Sequence, residues 1–125
     1  MINIDRNIPP TENEIQDFIT QISFNLPEGF IDFFKESNGA YITTENAYVA
    51  LWPITEMLQL NEGYRVSEFV PEFFLIGSNG GGEAYAIEKE TGYIFEIPFI
   101  VMTKEDAILK SKTFTEFIKL STQAL

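Results

Sequence analysis

Apolar and polar residues alternate along this chain in two rhythms, and the switch between them marks its elements. In TENEIQDFITQI, Ile15, Phe18, Ile19 and Ile22 recur at helical spacing while Glu12, Gln16 and Asp17 fall on the opposite side. Thr11 and Glu14 have the spacing of a capping box, and Pro9 and Pro10 precede them, so a helix is predicted to start at this point. A second, shorter helix is predicted in LPEGFIDFFKESNGA. Pro27 suits its first turn, Gly29 falls inside it, Phe30, Phe33 and Phe34 form its apolar face, and Asn38-Gly39 supplies a left-handed exit.

From Ala40 the period shortens to that of a strand. AYIT and AYVALWP, separated by a turn at TEN, predict a hairpin. Pro53 ends it and opens ITEMLQLNEG, where Ile54, Met57 and Leu58 fit a short helix stopped by Gly63. YRVSEFVPE reads as loop. FFLIG, AYAIE and YIFEIP then predict three successive strands, punctuated by SNGGGE and KETG. In the tail, Thr113 and Glu116 repeat the capping-box spacing, and Phe114, Phe117, Ile118 and either Leu120 or Leu125 supply the inward face of a closing helix. This order predicts an α+β fold over residues 1–125, a single domain with a mostly antiparallel β-sheet and helices packed around it.

Composition narrows the chemistry more than it narrows the fold. Twelve phenylalanines are ample material for one core. With no cysteine, there can be no disulfide, thiolate metal site or thiol nucleophile. With no histidine, the chain also lacks the commonest general base and metal ligand. The formal charge is −11, and its distribution is uneven: residues 1–96 carry sixteen carboxylates against four cations. Such a field repels nucleic acid and anionic membranes and favours a neutral or basic protein partner. MINIDRNIPP lacks a basic region followed by an apolar run, and the longest apolar stretches are of strand length. A soluble cytoplasmic protein, monomeric or weakly dimeric, is the expectation.

The stretch GSNGGGEAY is the most conspicuous in the chain. A phosphate loop needs a Lys and a Ser or Thr after its glycines and a helix starting there, whereas here a strand follows and Glu83 would repel a phosphate. A glycine-rich hairpin turn is the better reading, with Asn79 and Glu83 as its polar features. Glu56, Glu62, Glu68, Glu72 and Glu83 have no spacing diagnostic of an acid-base pair, and the calcium-loop pattern is absent. No enzyme activity, metal or cofactor is therefore expected. Trp52, before Pro53, reads as a strand-end residue or as an anchor for a partner.

Four segments in register carry a family resemblance. Leu26, Pro27, Phe30 and Phe33 match an "LP-x-x-[FY]-x-x-F" helix, followed by Asn38 and Gly39, with Ala40 where a second glycine is usual. Ile76, Gly77, Asn79, Gly80, Gly81, Gly82 and Glu83 match "IG-x-[DN]-G-G-G-[DE]"; Gly92-Tyr93-Ile94 matches the following "G-x-[IV]" strand, and Thr113-Phe114 with Phe117 matches a terminal "[ST]-F-x-x-F" helix. Over residues 11–120 the chain thus resembles the SUKH superfamily, shared by bacterial immunity proteins and a fungal regulator of cell-wall assembly. The resemblance implies a cytoplasmic immunity protein that binds and neutralises a cognate secreted polymorphic toxin, a nuclease in many systems. The alternative it leaves is a regulatory or scaffolding module without a toxin partner. A nuclease is basic where it holds phosphates, which agrees with the acidic charge. Trp52, Glu62, Glu68, Glu72, Asn79 and Glu83 are the partner-binding candidates.

Overall fold

The computed structural model describes residues 2–45 and 47–122. Among them, seven strands form one sheet in sequence order, each antiparallel to the next: β1 (Asn3–Arg6), β2 (Ala40–Thr43), β3 (Tyr48–Leu51), β4 (Phe73–Ser78), β5 (Glu83–Glu88), β6 (Ile94–Pro98) and β7 (Ile108–Ser111). Five helices accompany them: α1 (Glu12–Gln21), α2 (Phe30–Glu36), α3 (Ile54–Gly63), α4 (Val66–Phe69) and α5 (Phe114–Ser121). The fold is α+β, as the periodicities predict.

Side chains alternate across the sheet and feed two cores. On the principal face, Ile42, Val49, Leu51, Phe74, Ile76, Tyr85, Ile87 and Ile94 meet Ile15 and Phe18 of α1, Phe30 and Phe34 of α2, Ile54 and Met57 of α3, and Phe114 and Phe117 of α5. Phenylalanine rings knit this layer together: Phe30 lies 4.6 Å from Phe34 and 5.1 Å from Phe114, centroid to centroid. On the second face, Phe73, Leu75, Ala84, Ala86 and Ile97 are covered by Val66 and Val70 around α4 and by Met102 of the segment after β6. β4 and β5 are buried on both faces, which explains their unbroken apolar runs.

Both predicted caps form. Thr11 and Glu14 exchange hydrogen bonds in a full capping box, and Thr113 accepts from the Glu116 N–H. Elsewhere the structure corrects the sequence reading. Gly29 is the left-handed N-cap of α2 (φ 86°) and lies outside the helix, because the Phe30 N–H donates back to Pro27 and spends the first turn on a bend. YRVSEFVPE contains α4 and is not all loop. β1 and β7 were not predicted; both are edge strands with mostly exposed residues, so neither shows the alternation of a half-buried strand. Ile19 and Leu120, expected inward, are 39% and 47% exposed. Leu125 lies outside the described residues, and so does Asn46 of the predicted TEN turn, which the Thr44 N–H closes by donating to Ala47.

One polar residue fixes how α3 meets the sheet. β3 ends with Leu51 paired to Gly77, the Trp52 N–H adds a last bond to the Ile76 carbonyl, and Leu75 beyond it is left without a strand neighbour on that side. Asn61 takes the vacated place: its Oδ1 accepts from Leu75 N–H at 2.7 Å and its Nδ2 donates to Leu75 C=O at 2.9 Å. A side-chain amide thus continues a β-ladder, and α3 is held in register against β4.

Candidate functional site

The glycine turn is built by Asn79. Its Oδ1 accepts from the Gly81 N–H (2.8 Å) and the Glu83 N–H (3.2 Å), and its Nδ2 donates to the Glu83 carboxylate (2.7 Å). Gly80 and Gly82 adopt φ of 75° and 110°, open to glycine and costly for other residues. The N–H groups of Asn79, Gly81 and Glu83 are therefore spent on the turn's own closure, and Glu83 is tied to Asn79. As the strand that follows already indicates, this is the end of the β4–β5 hairpin.

Next to the turn, three aromatic rings form a partly exposed stack. Trp52, just past β3, donates its backbone N–H to Ile76 and lies 6.1 Å from Tyr64, nearly parallel at 9°. Tyr64 lies 4.7 Å from Phe99, whose N–H donates to the Gly82 carbonyl at 2.9 Å and so fastens the stack to the glycine turn. Trp52 is half-buried, in keeping with a strand-end residue, and Tyr64 is 41% exposed. Chain punctuation gives each ring its place: Pro53 after Trp52, the end of α3 before Tyr64, and Pro98 before Phe99. After Phe99 the chain turns back, and Ile100 and Val101 project from the turn at 84% and 75% exposure.

The six sequence candidates fall into two groups. Trp52, Asn79 and Glu83 share the stack-and-turn end of the sheet. Glu72 precedes the other end of β4, roughly 20 Å away along six strand residues. It faces Lys104 at 3.9 Å, while Glu68 on α4 pairs with Arg65 at 2.7 Å. Glu62, in the last turn of α3, stands exposed two residues before Tyr64. These carboxylates are surface groups spread over the molecule and not gathered on one point. Among the described residues no set of three acidic side chains is placed to hold a metal ion, and no helix is long and apolar enough to cross a membrane.

Tyr64 and Phe99 were missed from sequence, since an isolated aromatic after a helix stop or after a proline carries no period; the signal they do carry is that each directly follows a Gly or Pro that ends an element. Beside Tyr64 lies a recess of about 390 Å³ walled by Glu56, Gln59, Leu60 and Gly63. Toward the N-terminal edge, Tyr41 and Tyr48 stack at 6.5 Å on the second sheet face, both exposed, with Tyr48 against Gly80. On the principal face, burial followed by the nearby Glu96 and Glu83 carboxylates pushes the Tyr85 phenol up to about 12. It stays neutral and packs on Phe117 at 4.9 Å.

A family model described as SMI1 / KNR4 family (SUKH-1) matches residues 9–120. No curated protein matches the chain.

Proposed function

From the premise that this chain belongs to the SMI1 / KNR4 family (SUKH-1), we propose that it is an immunity protein: it binds a cognate secreted toxin domain in the cytoplasm and blocks it, performing no chemistry itself. The observation that carries this reading is the surface stack of Trp52, Tyr64 and Phe99, set among carboxylates on a chain of formal charge −11. Half-exposed aromatic rings held rigidly by backbone hydrogen bonds are the side chains that carry most binding energy at protein interfaces. An acidic field accelerates encounter with a basic surface, such as one by which a nuclease holds its phosphates. In this reading Trp52 is an anchor, Glu62, Glu68 and Glu72 supply the field, and Asn79 and Glu83 hold the turn that braces Phe99.

The test is to mix the purified chain with the toxin domain encoded beside its gene and follow complex formation by sedimentation. A stoichiometric complex that weakens with added salt, and survival of cells that make both proteins, are expected. No complex, or no protection, removes the assignment and leaves a regulatory module as the function.

A further inference from the structure

The turn after β6 breaks two local rules at once. Its tip holds Ile100 and Val101, two of the most exposed large apolar residues described, where turns ordinarily carry Gly, Asn or Asp. Val101 also adopts φ 53°, a left-handed conformation that a β-branched residue strongly disfavours. Neither side chain contributes to a core. Phe99 and Met102 on either side already tuck the segment onto the second core, and nothing of Ile100 or Val101 is needed there. Arg65, the other left-handed non-glycine residue described, directly follows Tyr64. Both left-handed positions thus border the same aromatic stack; Arg65 serves the fold as the N-cap of α4, whereas Val101 carries a side chain that neither core uses, and strain of that kind gathers where a surface has a task.

Charge decides what meets this tip. Arg65 is engaged by Glu68, whereas Glu56 and Glu62, on the turns of α3 that lead to Tyr64, stand exposed. The recess beside Tyr64, with Glu56 in its wall, offers an aromatic ring and a carboxylate to a Lys or Arg side chain. A second copy of this chain would bring like charges together.

Resting on the immunity reading, we propose that Ile100 and Val101 form a preformed apolar knuckle that inserts into a recess on a basic protein domain, while the Tyr64 recess receives one of that domain's cations. The strained turn holds the two side chains outward before binding, so little ordering is left to do on contact.

The experiment uses the full chain and the toxin domain encoded beside its gene, with Ile100→Asp, Val101→Gly and Glu56→Gln compared by calorimetry and thermal melting. Ile100→Asp is expected to weaken binding roughly 30-fold or more. Val101→Gly, whose new residue suits φ 53°, should hold or raise the melting temperature while weakening binding. Glu56→Gln should weaken binding and flatten its salt dependence. If the unaltered chain binds and these variants bind equally well, the knuckle is refuted and the immunity reading stands. If the unaltered chain does not bind, both fall. Self-association of the unaltered chain, lost in Ile100→Asp, would replace the basic partner by a second copy and overturn the proposal.

Discussion

Replacing Asn61 with alanine tests whether a side-chain amide really stands in for a strand. Leu75 is fully buried, and its N–H and C=O are both satisfied by Asn61, at 2.7 and 2.9 Å. Truncation orphans a donor and an acceptor together, each costing about 1–3 kcal/mol when left buried. Water entering the adjoining groove of about 220 Å³, lined by Leu58, Asn61, Phe73 and Phe74, softens this. A loss of about 2–4 kcal/mol follows, which for a domain of this size lowers the melting temperature by roughly 10 °C. Urea denaturation should show the midpoint falling with the slope unchanged. Asn61→Leu restores volume without hydrogen bonds and should be no better than alanine. The lone Trp52 gives a second readout: Asn61 lies three residues before Tyr64, so its loss should shift the fluorescence of the stacked indole. A loss below about 0.5 kcal/mol, the range of an ordinary surface change, or rescue by leucine, would refute the reasoning.

Three further outcomes are expected. An ultraviolet titration should find one of the five tyrosines ionising late, near pH 12, and Tyr85→Phe should remove that step. Since the folded phenol titrates above its unfolded value near 10, its contribution is complete below pH 10 and is lost as pH rises toward 12, worth about 2 kcal/mol. Gly77→Ala should cost several kcal/mol, about 3 or more, because a methyl group there runs into the Ala50 carbonyl where β3 and β4 pair; wild-type stability would show that the two strands separate easily. Reversing Glu68 and Glu72 to lysine should slow association with the toxin domain about tenfold at low salt and leave dissociation nearly unchanged, whereas equal effects on both rates would rule out steering.

The fold was legible where local physics and tertiary packing agree. Thr11 with Glu14, Asn79 with the glycines, and the unbroken apolar runs of β4 and β5 each have a short-range cause and formed as read. β1 and β7 escaped because an edge strand owes its state to a neighbour's backbone and not to a pattern of its own. Gly29 escaped because Pro27 equally suits a helix or the turn ahead of one. For the candidate surface, Trp52 could be picked out as a rare residue at a strand end. Its partners Tyr64 and Phe99 come from distant turns, and only the register from β3 through β6 brings the three rings together. Asn61 is similarly silent in sequence, since its role exists only once β3 has departed from β4.

The strictly sequential strand order also bears on how the molecule is made. Each hydrogen-bonded pair of strands joins neighbours in the chain, so a polypeptide leaving the ribosome can lay its sheet down one strand at a time without waiting for a distant partner. The principal core closes later, because Phe114 of α5 must dock on Phe30, Phe33 and Phe34, which lie far earlier in the chain. Until α5 is synthesised, α1, α2 and α3 can cover their part of the principal face while Tyr85 and the phenylalanines of α2 still lack their partners, which makes the docking of this helix the step that completes the core and the point at which a chaperone is most needed.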